Sequence, residues 1–210
     1  MSITSYWPRS MFPLFETIRI EHSVPQNLSY HQERVNRAFH DLFAGTRLIP
    51  DLAQLIKVPD GLPDSLHKCR FLYNRTEWST EFSAYIPKKV TTLKLVTVDH
   101  INYGHKYTNR KTLDELFSLR EGCDDVLIVR NGYLTDSSIA NILFSKDSKW
   151  YTPALPLLEG TCRARLLDQG IVREDNITLQ NFRNYSHFML INAMNDFDAD
   201  RISPVYAMKG

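Results

Sequence analysis

The side chains in this sequence that could do chemistry are few and scattered. Lys106 in GHKYTNRK offers an amine, Arg34 in HQER a guanidinium, Asp136 a carboxylate just after a hairpin signal, and LLEGTCR a glycine-led helix start. Taken singly, each has an ordinary reading: a solvated lysine, an exposed helix arginine, a turn aspartate, the opening of a helix. His31 and His105 have no second His or Cys at ligand spacing, so no metal is expected. Cys69, Cys123 and Cys162 are three in number, widely spaced and without a CxxC pair. That argues against a disulfide framework or a zinc knuckle, and for reduced thiols in a cytoplasmic compartment. The eight glycines form no GxG, which removes the dinucleotide fingerprint and the P-loop, and neither GxSxG nor HExxH occurs.

Positioning such residues requires a folded scaffold, and the composition supplies one. The chain has 210 residues, 43% of them hydrophobic and 23% charged, which suits one large or two small packed domains. Its net charge of +1 gives no electrostatic case for nucleic acid or an anionic membrane and leaves a small molecule or protein as partner. The N-terminal run MSITSYWPRSMFPLF lacks the basic and apolar segments of a targeting signal, and no stretch is apolar enough to span a bilayer.

Leu14 to Ile20 alternates as a strand, and a helix follows in which Ser29 and Gln32 form a capping box, Val35, Ala38, Phe39, Leu42 and Phe43 share one face, and Gly45 is the stop. Residues 46 to 67 read as a loop-rich connection with a short helix at Leu52 to Ile56. KCRFLYN, EFSAYI and TTLKLVTVD read as strands of one antiparallel sheet with Leu14 to Ile20. Thr112 to Leu119 reads as a helix, Asp125 to Val129 as a buried strand, and Asn131-Gly132 as a type I′ turn leading to strands at Ile139 to Ser145 and Lys149 to Tyr151. Gly160 to Gln169 is expected as a helix, with late strands at His187 to Ile191 and Pro204 to Tyr206. The expected organisation is an α+β lobe over 1–99, a linker over 100–110, and a second α+β lobe over 111–210, with a cofactor in the cleft between lobes.

Order and spacing carry more than single residues. FETIR (Phe15 to Arg19), the HxxR run (His31 to Arg34), KYTNR (Lys106 to Arg110), NGYLTDSSIANILF (Asn131 to Phe144), TPALPLLEGTCR (Thr152 to Arg163) and INAMNDFDADRISPV (Ile191 to Val205) follow one another as in the class IV aminotransferases, which this sequence resembles. These are pyridoxal 5′-phosphate enzymes of fold type IV, including branched-chain and D-amino acid aminotransferases and 4-amino-4-deoxychorismate lyase. The resemblance implies a two-lobed α+β fold like that of D-amino acid aminotransferase. It makes Lys106 the lysine that forms the Schiff base and moves protons. It makes Arg34, with the N–H groups of Thr161 and Cys162 and the side chain of Asn192, the phosphate contacts. It puts Asp136 where the family has a glutamate facing the pyridine nitrogen, one methylene shorter. Cys162 is thus a backbone donor rather than a reactive thiol, and Asn141 shapes the turn.

The Asn-Arg pair in KYTNR resembles the lyase branch, which implies elimination of pyruvate from 4-amino-4-deoxychorismate to leave 4-aminobenzoate, a folate precursor. The alternatives are an amino acid transaminase of the same fold and a non-catalytic protein retaining it. A substrate carboxylate needs a further cation, for which Arg70 and Arg110 are the candidates. A homodimer is expected from the family.

Overall fold

The computed structural model describes residues 11–43, 45 and 48–210; most of the run read for a targeting signal therefore lies outside the described residues. The chain divides into two compact units. One runs up to Tyr85 and takes back His105–Asn109, and the other holds Ile86–Gly104 and Arg110–Gly210.

In the first unit β1 (Leu14–Glu21), β2 (Val24–Pro25), β3 (His67–Tyr73) and β4 (Trp78–Ala84) form an antiparallel sheet in the order β2-β1-β3-β4. Alternation gives β1 two unlike faces. Leu14, Ile18 and Ile20 join Cys69, Phe71 and Tyr73 of β3 in a core closed by Val35, Ala38 and Phe39 of helix α1 (Leu28–Leu42) and Leu52 of α2 (Leu52–Leu55). Phe15, Thr17 and Arg19 point to the other face. The capping box expected at Ser29 and Gln32 does not form. The helix begins earlier, after Asn27, and Gln32 instead donates to Asn36 and to the Pro50 carbonyl and accepts from Leu52 N. That long-range tie, which fastens the loop-rich segment onto α1, outcompetes a local cap.

The second unit is built on β5 (Leu93–Val98), β6 (Asp125–Arg130), β7 (Tyr133–Ser137), β8 (Asn141–Lys146), β9 (Lys149–Pro153), β10 (Val172–Asp175), β11 (His187–Ile191), β12 (Ser203–Pro204) and β13 (Met208–Lys209). Its main path is β10-β9-β8-β7-β6-β5-β13, and β11 pairs with β8 and β12. Helices α3 (Lys111–Ser118) and α4 (Thr161–Asp168) belong to this unit. Asn131 and Gly132 both have positive φ, 53° and 79°, as the expected type I′ hairpin between β6 and β7 requires.

One strand is not where alternation suggested. TTLKLVTVD yields β5, which pairs in parallel with β6 in the second sheet instead of extending the first, so the units divide between Tyr85 and Ile86 rather than after residue 99. Leu93 is fully buried in the second unit's core, with Leu127, Val129, Phe144 and Phe188. The stretch expected as a linker is itself shared: 105–109 lies along β1, through Phe15 N to Lys106 O at 3.1 Å and Thr108 N to Pro13 O at 2.9 Å, while Arg110 belongs to the other unit. The expected late strand at Pro204 to Tyr206 resolves into β12, a single 3-10 turn over Val205–Ala207, and β13, whose two residues pair in parallel with β5 at one end of the sheet path.

Candidate functional site

In the first unit, β1 places Glu16 in the apolar register between Leu14 and Ile18, fully buried against α1. A carboxylate taken out of water needs a cation and hydrogen-bond donors. Both come from the inner face of α1: Arg34 Nε donates to Oε1 at 2.9 Å, Arg34 Nη2 donates to Oε2, and His31 Nδ1 lies 2.6 Å from Oε2. Burial would raise the Glu16 pKa, but the Arg34 charge and then the His31 hydrogen bond outweigh it and hold the carboxyl at about 2. Burial also lowers the His31 pKa. The arrangement is therefore a Glu16–Arg34 ion pair with a neutral imidazole that donates from Nδ1, leaving the Nε2 lone pair buried with no hydrogen-bond partner among the described residues. Arg34, expected as a phosphate cation, thus has at least two of its N–H donors on Glu16.

The Lys106 side chain belongs to the same unit, with Nζ 5.0 Å from the centroid of the Phe15 ring. The Arg70 guanidinium packs on that ring too, 4.5 Å from its centroid. Two of the residues picked from sequence, Lys106 and Arg70, are therefore gathered on one side chain of β1, where cation–π attraction orients both. The Lys106 charge also bears on His31.

In the second unit Asp136 is buried near the end of β7. Its Oδ1 accepts from Asn141 Nδ2 at 2.8 Å, and its Oδ2 accepts from the backbone N–H groups of Leu157 and Leu158, both at 2.9 Å. Asn141 also donates to the Leu158 carbonyl at 2.9 Å, and a Cβ added to Gly160 would fall 1.9 Å from Asn141 Oδ1. The loop that leads to α4 is thus clamped onto Asp136 through Asn141. Only a glycine fits at position 160. Asp136 has no ion pair among the described residues; burial wins over its three hydrogen bonds and the distant Arg163 charge and pushes its pKa up to about 6.

At α4, Gly160 is the N-cap and no side chain caps the helix, while Thr161 and Cys162 of the first turn are buried. Its leading N–H groups suit an anion. Burial pushes the Cys162 thiol up to about 12, in keeping with a backbone role rather than a nucleophile. The side chain of Asn192 is committed to its own turn, accepting from Met194 N and Asn195 N at 2.9 and 3.0 Å, with Nδ2 on the Ile139 carbonyl at 3.3 Å. Arg110 ties α3 to the Ser138 carbonyl at 2.7 Å and to the Tyr103 hydroxyl at 3.3 Å, so its geometry is structural. Glu16 was not singled out from sequence. The available signal was an acidic residue at a core position of an alternating strand, facing HxxR on the buried side of a helix.

The donor set fits pyridoxal phosphate. The unit holding Lys106 supplies an amine and a guanidinium, and the other supplies an uncapped helix start and a buried carboxylate with no cation, whose raised pKa is what a protonated ring nitrogen would relieve.

Comparison with known proteins agrees with this donor chemistry. Residues 13–197 match the amino-transferase class IV family. The chain belongs to that family, whose members are pyridoxal-phosphate-dependent enzymes. It is 38% identical to an uncharacterised protein of Haemophilus influenzae over 88% of this chain and 99% of that one. A crystal structure from Haemophilus somnus, provisionally named as a 4-amino-4-deoxychorismate lyase, superposes with a TM-score of 0.84 at 38% identity, covering 89% of this chain and 98% of that one. A Schizosaccharomyces pombe protein, provisionally named aminodeoxychorismate lyase, is 32% identical over 42% of this chain and 43% of its own length.

Two outcomes follow. Removing one partner of the first-unit ion pair, as in Glu16→Ala, is expected to cost about 3–5 kcal/mol in chemical denaturation, because it strands the Arg34 charge. For Asp136 the native pKa lies above the ordinary aspartate value of 3.8, so its contribution to stability is complete below about pH 4 and is lost as pH rises through about 6. In cofactor-free protein that loss is about 3 kcal/mol. Unfolding free energies measured between pH 4 and 7 should show this fall, and Asp136→Asn should flatten it.

Proposed function

We propose that the protein is a pyridoxal-phosphate-dependent lyase that converts 4-amino-4-deoxychorismate to 4-aminobenzoate and pyruvate. The observation that carries the cofactor half of this reading is Asp136, a buried carboxylate held by three N–H donors and without an ion pair among the described residues. The lyase half is supported by the provisional name of the relative that matches across nearly its whole length, and by the Asn109-Arg110 pair after Lys106.

When bound, pyridoxal phosphate supplies an electron sink for a carbanion next to the substrate nitrogen. Lys106 would hold the cofactor through its amine, and that amine, when free, would take the proton from the substrate ring carbon bearing the nitrogen. The electron pair left behind completes the aromatic ring as the ether C–O bond breaks. The departing enol regains a proton and becomes pyruvate, so no water or co-substrate is consumed. Asp136 faces the ring nitrogen in this reading, the first turn of α4 receives the phosphate, and Arg34 adds positive charge while held by Glu16. Arg70 holds a substrate carboxylate beside Lys106.

The reading includes a homodimer in the cytoplasm serving folate precursor synthesis. Among the described residues no helix is long and apolar enough to cross a membrane, and the +1 net charge gives no support for a nucleic-acid partner.

Purified protein should be yellow, and borohydride reduction should fix the chromophore to Lys106, as peptide mass mapping would reveal. Supplied with 4-amino-4-deoxychorismate alone, the protein should release pyruvate, and Lys106→Ala should abolish the release. If product forms only when an amino donor and a keto acid are paired, the protein is a transaminase. If it takes up no added cofactor, the pyridoxal phosphate reading itself fails.

A further inference from the structure

The face of the first sheet that turns away from α1 carries a row of cations. The registers Thr17↔Arg70 and Arg19↔Lys68 set Lys68 and Arg70 on this face with Phe15, their Cα atoms roughly 7 Å apart along β3 and their heads leaning apart, Arg70 onto Phe15 and Lys68 onto Tyr85. Arg19 is neutralised within its own strand, forking onto Glu21 at 3.0 and 3.2 Å. Lys68 is not. Its ammonium lies over the ring of Tyr85, 5.9 Å from the centroid, a contact that keeps its charge and orients it. Glu81 stands opposite Arg70 on β4. With Lys106, the described residues set three cations around this face beside Glu81. Lys68, Arg70 and Lys106 are all only partly exposed, so their fields are less screened than those of fully solvated lysines.

We propose that Lys68 and Arg70 together form a subsite for a second carboxylate, making Lys68 the residue that selects dianionic substrates over those with one carboxylate. The inference rests on Lys106 being the reacting amine. A substrate amine placed there leaves one carboxylate beside Arg70, and Lys68, one repeat further along β3, reaches a carboxylate on the far side of the substrate. The substrate class that fits is a compact ring or chain bearing an amine near Lys106 and two carboxylates.

The test uses holoenzyme and two unreactive probes, isophthalate with two carboxylates and benzoate with one, titrated by calorimetry. Isophthalate should bind at least about tenfold more tightly, the scale of one added charge-assisted hydrogen bond. Lys68→Gln should erase that preference while leaving benzoate affinity within about twofold, Lys68→Arg should keep it, and Arg70→Gln should weaken both probes. Equal affinities for the two probes, or an isophthalate affinity unchanged by Lys68→Gln, would overturn the proposal. Because no turnover is involved, failure to release pyruvate would sink the lyase reading without touching this result.

Discussion

A carboxylate removed from water must be compensated, and two described buried carboxylates, one in each unit, resolve that demand in opposite ways. Glu16 interrupts the apolar face of β1, where nothing but a fixed cation could make an ionised group tolerable, and α1 provides Arg34 with His31 one turn earlier. The strand and helix of the first unit are therefore docked in one register: sliding α1 by a residue would leave the charge unpaired. Asp136 is as buried but has backbone N–H groups and an amide instead of a cation. One acid is pulled down to about 2 and the other pushed up to about 6, and the difference is the presence of a counter-ion rather than depth.

The clamp around Asp136 also accounts for the shortened side chain. An aspartate reaches the Leu157 and Leu158 N–H groups because Asn141 and Gly160 draw the loop close. The residues at 136, 141 and 160 act as one unit, which keeps the loop within reach of the shorter carboxylate.

Much of this was legible from sequence because local rules and long-range packing agreed. The Asn131-Gly132 turn, the helix after Gly160 and strand β11 follow from turn chemistry and periodicity. What was not legible depended on partners distant in the chain. TTLKLVTVD reads as a strand, but which sheet it joins is set by the fully buried fit of Leu93 against the second core, and strand propensity carries no information on that. Gln32 looked like half of a capping box because its tie to Pro50 and Leu52 crosses about twenty residues, a tie that local sequence spacing does not reveal. The site residues divided in the same way: Lys106 and Arg70 are brought together by Phe15, a residue quoted only as part of a motif, whereas Asn192 and Arg110 have their polar groups drawn into turns and helix starts.

The short strand β13 adds only two residues to the second sheet, yet it covers Leu93 and Lys94, the start of β5, on the side away from β6. An uncovered parallel strand of Leu, Val and Thr would present a row of open N–H and C=O groups to any neighbouring chain. Met208 and Lys209 therefore serve as an edge guard, with a lysine at the position most hostile to further pairing. A chain cut short by a few residues would keep every group discussed for the cofactor and still tend to associate edge to edge, losing solubility before it lost its chemistry.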